Sequence, residues 1–233
     1  MKRVLRSSYR TIRDELLRRI STRVWKPGEL IPGEEALAEE FGAARATVNR
    51  ALQELARTGV VERRRKAGTR VVLHPVREAR FVIPLVRQAI EEEGKTYRYR
   101  LVASRGERVP GDVAASLGIS AGLPLMHVRA MHYADDRPYQ FEDRWINLEA
   151  VPAARTAPFD VQSPNEWLVE NAPFSRATFS FLADRAREEE AVLLELREGD
   201  PVLVGERITF LVDRPITFVR LVHPPSHRMV SEL

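Results

Sequence analysis

A chain that repeats itself without a gap has few ways to fold, and part of this one recurs after a shift of 77 positions. The shift superposes Leu117, Gly122, Pro124, Asp136-Arg137-Pro138 and Phe141 on Leu194, Gly199, Pro201, Asp213-Arg214-Pro215 and Phe218. Each copy reads as a helix (near Leu85 to Glu93, then Asn165 to Asn171) followed by a strand (Tyr97 to Ser104, then Arg176 to Ala183). A second helix (Gly111 to Leu117, then Arg187 to Leu196) and a hairpin turned by Asp-Arg-Pro complete each copy. Two copies are too few to stack as a solenoid. They are expected to pair into one α+β domain, with antiparallel strands of both copies in a central sheet, helices covering it and a cleft between the halves.

The chain before the repeat has a different character. Residues 1–74 carry a net charge of +8 and the remaining 159 a net of −4, so the overall +4 hides two parts with different partners. A basic block points toward phosphate and a mildly acidic remainder points away from it. Within the basic block, Ala44 to Leu55 sets Val48, Ala51, Leu52 and Leu55 on one helical stripe, while Arg45, Asn49, Arg50 and Gln53 project from the other side. Arg45 sits in the first turn, where the positive end of the helix disfavours a cation, so an anion or a base edge is its expected partner. A solvated basic face accounts for the same pattern.

A first helix from Ser8 to Ser21 turns Tyr9, Ile12, Leu16 and Ile20 to one face. After the turn Trp25-Lys26-Pro27-Gly28 and the extended Leu30-Ile31, a second helix begins with Gly33 as its N-cap and ends at Gly42. Gly42-Ala43-Ala44 leads directly into the basic helix, so the two form a helix-turn-helix. Two β-prone runs, Val60 to Arg64 and Thr69 to Val72, then flank Arg65-Lys66-Ala67-Gly68 and read as a basic hairpin suited to phosphates or the minor groove.

Residues 8–72 thereby resemble the winged helix-turn-helix domain of GntR-type bacterial transcription regulators. The motifs are Trp25-Lys26-Pro27-Gly28-Glu29, Ile31-Pro32-x-Glu34, Phe41-Gly42, Arg45-x-Thr47-Val48-Asn49-Arg50-Ala51-Leu52 and Gly68-Thr69. The resemblance implies operator contacts by Arg45 and Arg50 and entry of the wing at Gly68 into the minor groove. Thr47, Asn49, Arg63, Arg64, Lys66 and Thr69 complete the expected DNA-binding set. Gly33 and Ala44 stand where that family usually has serines, and Ala as an N-cap in place of Ser costs about 1 kcal/mol.

The repeat resembles the effector-binding UTRA domain, with a chorismate-lyase-like fold, that follows the winged helix in one branch of that family. Pro138 to Asn147, Ser163 to Leu168, Asn171-Ala172-Pro173 and Val219 to Pro224 carry the likeness, which is strongest toward the histidine-utilisation repressors. Domains are therefore expected at 1–73 and 83–233 with a linker over 74–82, and the C-terminal end Met229 to Leu233 departs from the family's usual aromatic ending. The resemblance implies a homodimer on double-stranded operator DNA, released by a small-molecule effector, here urocanate. Relatives that bind sugar phosphates place arginines where this chain has Ala130 and His132, which argues against a phosphate effector. By the same resemblance the effector contacts fall on Arg98, Tyr99, His132, Glu142, Arg144 and Ser163. A planar anion with ring nitrogens needs cationic donors and an acceptor, which this set contains. Hairpin register decides whether His132 shares a face with Glu142 and Arg144; a one-residue slip puts Arg129 and His127 there instead, and an Arg129–Glu142 ion pair is the plain alternative.

Other chemistry is sparse. Absence of cysteine excludes disulfides and thiolate chemistry and fits a cytoplasmic chain, and no apolar run approaches the ~18 residues of a membrane span. His223 and His227 are separated by Pro224-Pro225, so no helix puts them on one face and no metal site is expected. No nucleotide-binding loop, nucleophile elbow or zinc-protease motif occurs, so neither catalytic residues nor a cofactor are expected. Other expectations remain a regulator sensing a different small carboxylate or a sugar-type effector, an enzyme like chorismate lyase fused to a DNA-binding module, and an architectural DNA-binding dimer without ligand.

Overall fold

The computed structural model describes residues 8–64, 67–72 and 85–229, in two compact units. Among those residues one unit holds everything up to Val72 with Ala172–Arg176 and Phe210–Arg214, and the other holds the rest. The linker expected over 74–82 and the residues after Met229 lie outside them.

In the first unit, helices α1 (Tyr9–Ser21), α2 (Glu34–Glu40) and α3 (Arg45–Arg57) precede the hairpin β2 (Val61–Arg64) and β3 (Gly68–Val71), and the short strand β1 (Leu30–Ile31) adds to β3. Ile12, Leu16 and Ile20 of α1, Leu37 of α2 and the Val48, Ala51, Leu52, Leu55 stripe of α3 are all buried, so each helix turns its apolar face inward. Ser8 caps α1 by accepting a hydrogen bond from the Thr11 N–H. Gly33 and Ala44 are the N-caps of α2 and α3, and neither supplies a side-chain cap. Gly68 opens β3 with φ of 80°, a backbone conformation that suits glycine at the wing.

Apart from Arg176, Phe210, Leu211 and Arg214 at strand ends, which fall in the first, the second unit contains α4 (Val86–Glu92), β4 (Tyr97–Arg108), α5 (Gly111–Leu117), β5 (Pro124–Ala134), β6 (Arg137–Ile146), α6 (Pro164–Asn171), β7 (Arg176–Arg185), α7 (Glu188–Leu194), β8 (Pro201–Leu211) and β9 (Arg214–His223). A shift of 77 carries α5 onto α7, β5 onto β8 and β6 onto β9 at both ends of each element. The six-stranded sheet runs β4-β5-β6-β9-β8-β7, an order that reads symmetrically from its middle. The copies are locked together through their apolar layer. Leu194 and Ala191 of α7 pack with Met131 and Phe141 of the first copy, while Val113 and Leu117 of α5 pack with Phe218 of the second. Neither copy buries its own face alone.

The hairpin turns fall earlier than Asp-Arg-Pro. Asp135 and Asp136 form the first, with φ of 49° and 62°, and Val212-Asp213 form the second, while Pro138 and Pro215 lie inside β6 and β9. The first turn has positive φ at both residues, which Asp tolerates and Pro cannot adopt, while in the second Val212 carries it, with φ of 57°. Among the described residues no helix is long and apolar enough to cross a membrane.

Candidate nucleic-acid interface and ligand site

With its apolar stripe buried, α3 must turn its polar side outward. The Arg45 side chain is 66% exposed, its Nε 3.2 Å from Glu34 Oε2 and its Nη1 3.4 Å from Glu35 Oε1. Asn49 donates to Glu34 at 2.7 Å and Arg63 of the wing also donates to it, so one carboxylate gathers cations and an amide from helix and hairpin. The Arg50 guanidinium lies 4.1 Å from the centre of the Tyr9 ring, and Arg64 is 3.1 Å from Glu62. Thr47 is half-buried in the first turn of α3. Thr69 departs from the expectation of an outward contact: β3 alternates, so Gly68 and Arg70 face out while Thr69 and Val71 are buried. Lys66 lies outside the described residues.

In the second unit the hairpin register sets Ala130 opposite Glu142 and Val128 opposite Arg144, with an irregularity after His132. Even-numbered positions of β5 and β6 therefore share one face, and His132, Glu142 and Arg144 meet there fully buried. His132 Nε2 is 3.0 Å from Glu142 Oε2, Arg144 Nε donates to Glu142 Oε1 at 2.5 Å, and the Tyr97 hydroxyl is 2.9 Å from His132 Nδ1. The alternative Arg129–Glu142 pair does not form. Arg129 faces the other way and donates to Glu189, and His127 lies between Glu107 and Asp143, stacked on Trp145.

Tyr99 and Ser163 join this face indirectly. The Tyr99 ring centre is 5.6 Å from that of His132, and its hydroxyl donates to the Phe159 carbonyl at 2.7 Å. Ser163 donates to Glu166 at 3.0 Å, and Glu166 in turn accepts from Arg87, whose guanidinium covers the Tyr97 ring. Arg98 is not brought here. It pairs with Asp136 and stacks 3.7 Å from Tyr133 on the opposite face, because the period of two along β4 gives the inward places to Tyr97 and Tyr99.

Arg207 of β8 is the residue that the sequence reading misses. It is 3% exposed, donates to Asn165 of α6, and has its own Nε without a protein partner. Burial and then the Arg144 charge push its guanidinium down to about 9, with only Glu142 opposing. On the same face Arg144 Nη2 and Gln140 Nε2 are also buried without a partner. Burial raises the Glu142 carboxyl, but Arg144 and His132 outweigh it and hold the group at about 2. Arg144 and Arg207 thus lie buried beside the Glu142 carboxylate with some of their N–H donors meeting no protein acceptor among the described residues. Each unanswered donor costs ~1–3 kcal/mol or more when charged, so this face offers N–H donors and positive charge that an acceptor, and best an anion, would answer. The signal in the sequence was the repeat: Arg207 lies 77 positions after Ala130.

His223 and His227 do come together, through a turn rather than a helix. The His227 N–H donates to the Pro224 carbonyl and the rings stack at 3.9 Å, with Tyr139 edge-on to both. Burial pushes the His223 imidazole down to about 3. Stacked faces do not point two nitrogens at one ion, and among the described residues no three His, Asp or Glu side chains converge as a metal site.

Residues 92–228 match the UTRA domain family, and residues 8–71 match the gntR family of bacterial regulatory proteins. The chain is 30% identical over 222 residues to the histidine utilization repressor of Pseudomonas putida, covering 95% of this chain and 90% of that protein. It is 27% identical over 204 residues to the transcriptional repressor NagR of Bacillus subtilis, covering 87% and 84%. Among solved structures, the C-terminal domain of the histidine utilization repressor from Pseudomonas syringae pv. tomato is similar with a TM-score of 0.56 at 28% identity, covering 59% of this chain and 99% of that one. PhnF from Mycobacterium smegmatis shares the fold with a TM-score of 0.56 at 23% identity, covering 94% and 97%.

Proposed function

This chain belongs to the GntR family of bacterial regulatory proteins and carries a UTRA domain, and from that premise we propose that it is a dimeric repressor of histidine-utilisation genes that releases its operator when urocanate accumulates. The observation that carries the reading is the pair of buried arginines, Arg144 and Arg207, with unanswered N–H groups beside Glu142 and His132. Urocanate is a planar imidazole bearing an acrylate. Its carboxylate supplies the second negative charge that the two guanidiniums lack, its ring N–H finds an acceptor in Glu142, and Tyr97 and Tyr99 flank the plane. The reading requires no cofactor and no catalytic group, and it places the protein in the cytoplasm with its DNA.

On the DNA side, Arg45, Thr47, Asn49 and Arg50 of α3 read or position the major groove, and Arg63, Arg64, Lys66, Gly68 and Thr69 form the wing contact, Thr69 through its backbone. The exposed pairs that Glu34 makes with Arg45 and Arg63 are worth at most ~1 kcal/mol each, so exchanging them for phosphate is cheap. Two recognition helices must be presented about 34 Å apart or a multiple of it, and a ligand that prefers another spacing lowers operator affinity by its differential binding.

The test is thermal unfolding with urocanate, with histidine, chorismate and an amino-sugar phosphate as comparators. A ligand at 100 times its dissociation constant adds ~2.7 kcal/mol, a rise of a few degrees. The shift is expected with urocanate and not with the others. In Arg207→Met it is expected to vanish with no loss of basal stability, because burial and the like charge of Arg144 both disfavour the guanidinium. A shift with a different comparator alone keeps the ligand-sensing repressor and discards urocanate; one with chorismate calls for an assay of product formation.

A further inference from the structure

Two rows of side chains cross the inner face of the large sheet, and each draws on both copies of the repeat. In one row the register sets Ala130 opposite Glu142 and Glu142 opposite Leu221. In the other it sets Val128 opposite Arg144 and Arg144 opposite Val219. Gly205 of β8 continues the first row, since a Cβ built on it would lie 3.9 Å from the Leu221 Cβ. Arg207, two residues along β8, falls on the same face. The Glu142 row therefore carries the two smallest side chains, Ala130 and Gly205, on either side of Glu142 and Leu221.

Nothing in the backbone calls for glycine at 205. The residue lies inside β8, is buried, and is not among the glycines with positive φ. Glycine weakens a strand interior, and a strand keeps it where something approaches the backbone closely. No protein atom does so here. A Cβ would meet its nearest neighbours, two carbons of the Phe181 ring, at 3.5 and 3.6 Å, which is ordinary contact. The first copy has the buried Val128 at the matching place, 77 positions earlier. The missing side chain thus leaves space beside Arg207 that the packing of the chain does not require.

We infer that Gly205 is the floor of the ligand site, where the absence of a side chain lets the flat body of a conjugated anion lie against β8 while Arg207 holds its charged end. Glu142 on β6 and Gly205 on β8 are two strand spacings apart, roughly 10 Å, with the apolar Leu221 of β9 between them. A ligand lying across the strands there meets an acceptor at the Glu142 end and a guanidinium at the Gly205 end, with Phe181 beside it. A flat unsaturated carboxylate suits such a floor. An ammonium or a sugar hydroxyl turned down onto Leu221 and Gly205 finds no hydrogen-bonding side chain in either. The inference rests on the ligand reading above and adds to it the residue that sets which ligand bodies fit.

The test is isothermal titration of the full chain with urocanate, beside thermal unfolding without ligand. Gly205→Ala adds a methyl group with no neighbour closer than 3.5 Å, so the unliganded melting temperature is expected to hold or rise while urocanate affinity falls about tenfold. Gly205→Val, which copies Val128, is expected to abolish binding. Gly106→Ala is the control: that glycine lies in β4 of the same sheet, and a Cβ there meets nothing within 4 Å, so affinity is expected to stay unchanged. Should Gly205→Val lower the unliganded melting temperature, Gly205→Ala decides. Unchanged urocanate affinity in the Gly205 variants, or an equal loss in Gly106→Ala, overturns the floor and leaves the ligand reading standing. A parent chain that takes histidine, chorismate or the amino-sugar phosphate in place of urocanate, or none of the four, overturns the inference together with the urocanate reading.

Discussion

Arginine is used in two opposite ways in this molecule. On α3 and the wing, Arg45, Arg63 and Arg64 are exposed or partly exposed and lean on carboxylates that water can replace. On the inner face of the large sheet, Arg144 and Arg207 are shut away from water with incomplete partners. The first kind is held loosely and given up easily; the second is retained against a desolvation cost of several kcal/mol per ion. The difference teaches where stability and function are separable. In the outer set a change alters binding and hardly touches the fold, while in the inner set the fold itself registers the charge balance.

The contrast breaks first at Glu142. Glu142→Gln removes the one buried carboxylate bonded to Arg144 among the described residues and is expected to lower unfolding free energy by ~3–5 kcal/mol in urea titration. A loss under ~1 kcal/mol would mean that water reaches the site and that the two sets of arginines are not so different. A middle effect comes from the start of α3. Ala44 has the extended backbone of an N-cap and no side-chain acceptor, so Ala44→Ser is expected to raise stability by ~1 kcal/mol; an unchanged or lower melting temperature counts against Ala44 as the cap. Arg45→Ala is the smallest on stability, within about 0.5 kcal/mol, yet it is expected to weaken operator binding by ~1–3 kcal/mol if it reads a base edge. Should Arg45 contact only phosphate, binding falls uniformly across sequences and the salt dependence drops by about one counterion.

The large sheet was legible because the repeat constrains it: ends of elements in one copy predict ends in the other, as with Gly111–Leu117 and Glu188–Leu194. The helix-turn-helix was legible because apolar spacing fixes the inner face of α3 and, with it, the outer one. Local patterns failed where parity had to be counted through an irregularity. The resemblance sets Arg98 among the effector contacts, yet one residue along the strand puts it on the face opposite His132 and Glu142. Arg207 was hidden for another reason. A lone arginine in Val202-Leu203-Val204-Gly205-Glu206-Arg207 looks like a solvated strand residue until the sheet closes around it. The proline pair between His223 and His227 argued correctly against a helix but did not reveal that a turn stacks the rings.

Glu34 has a consequence for how the molecule searches a genome. By occupying Arg45, Asn49 and Arg63 at once, it would, under the reading proposed above, compete for the donors assigned to DNA. Any stretch of duplex must first displace this resident anion, and a random stretch recovers little beyond the exchange of one carboxylate for one phosphate. Under the same reading that cost is common to every site, so it lowers affinity for all duplex alike and leaves the choice between sites to the further bonds that base edges add.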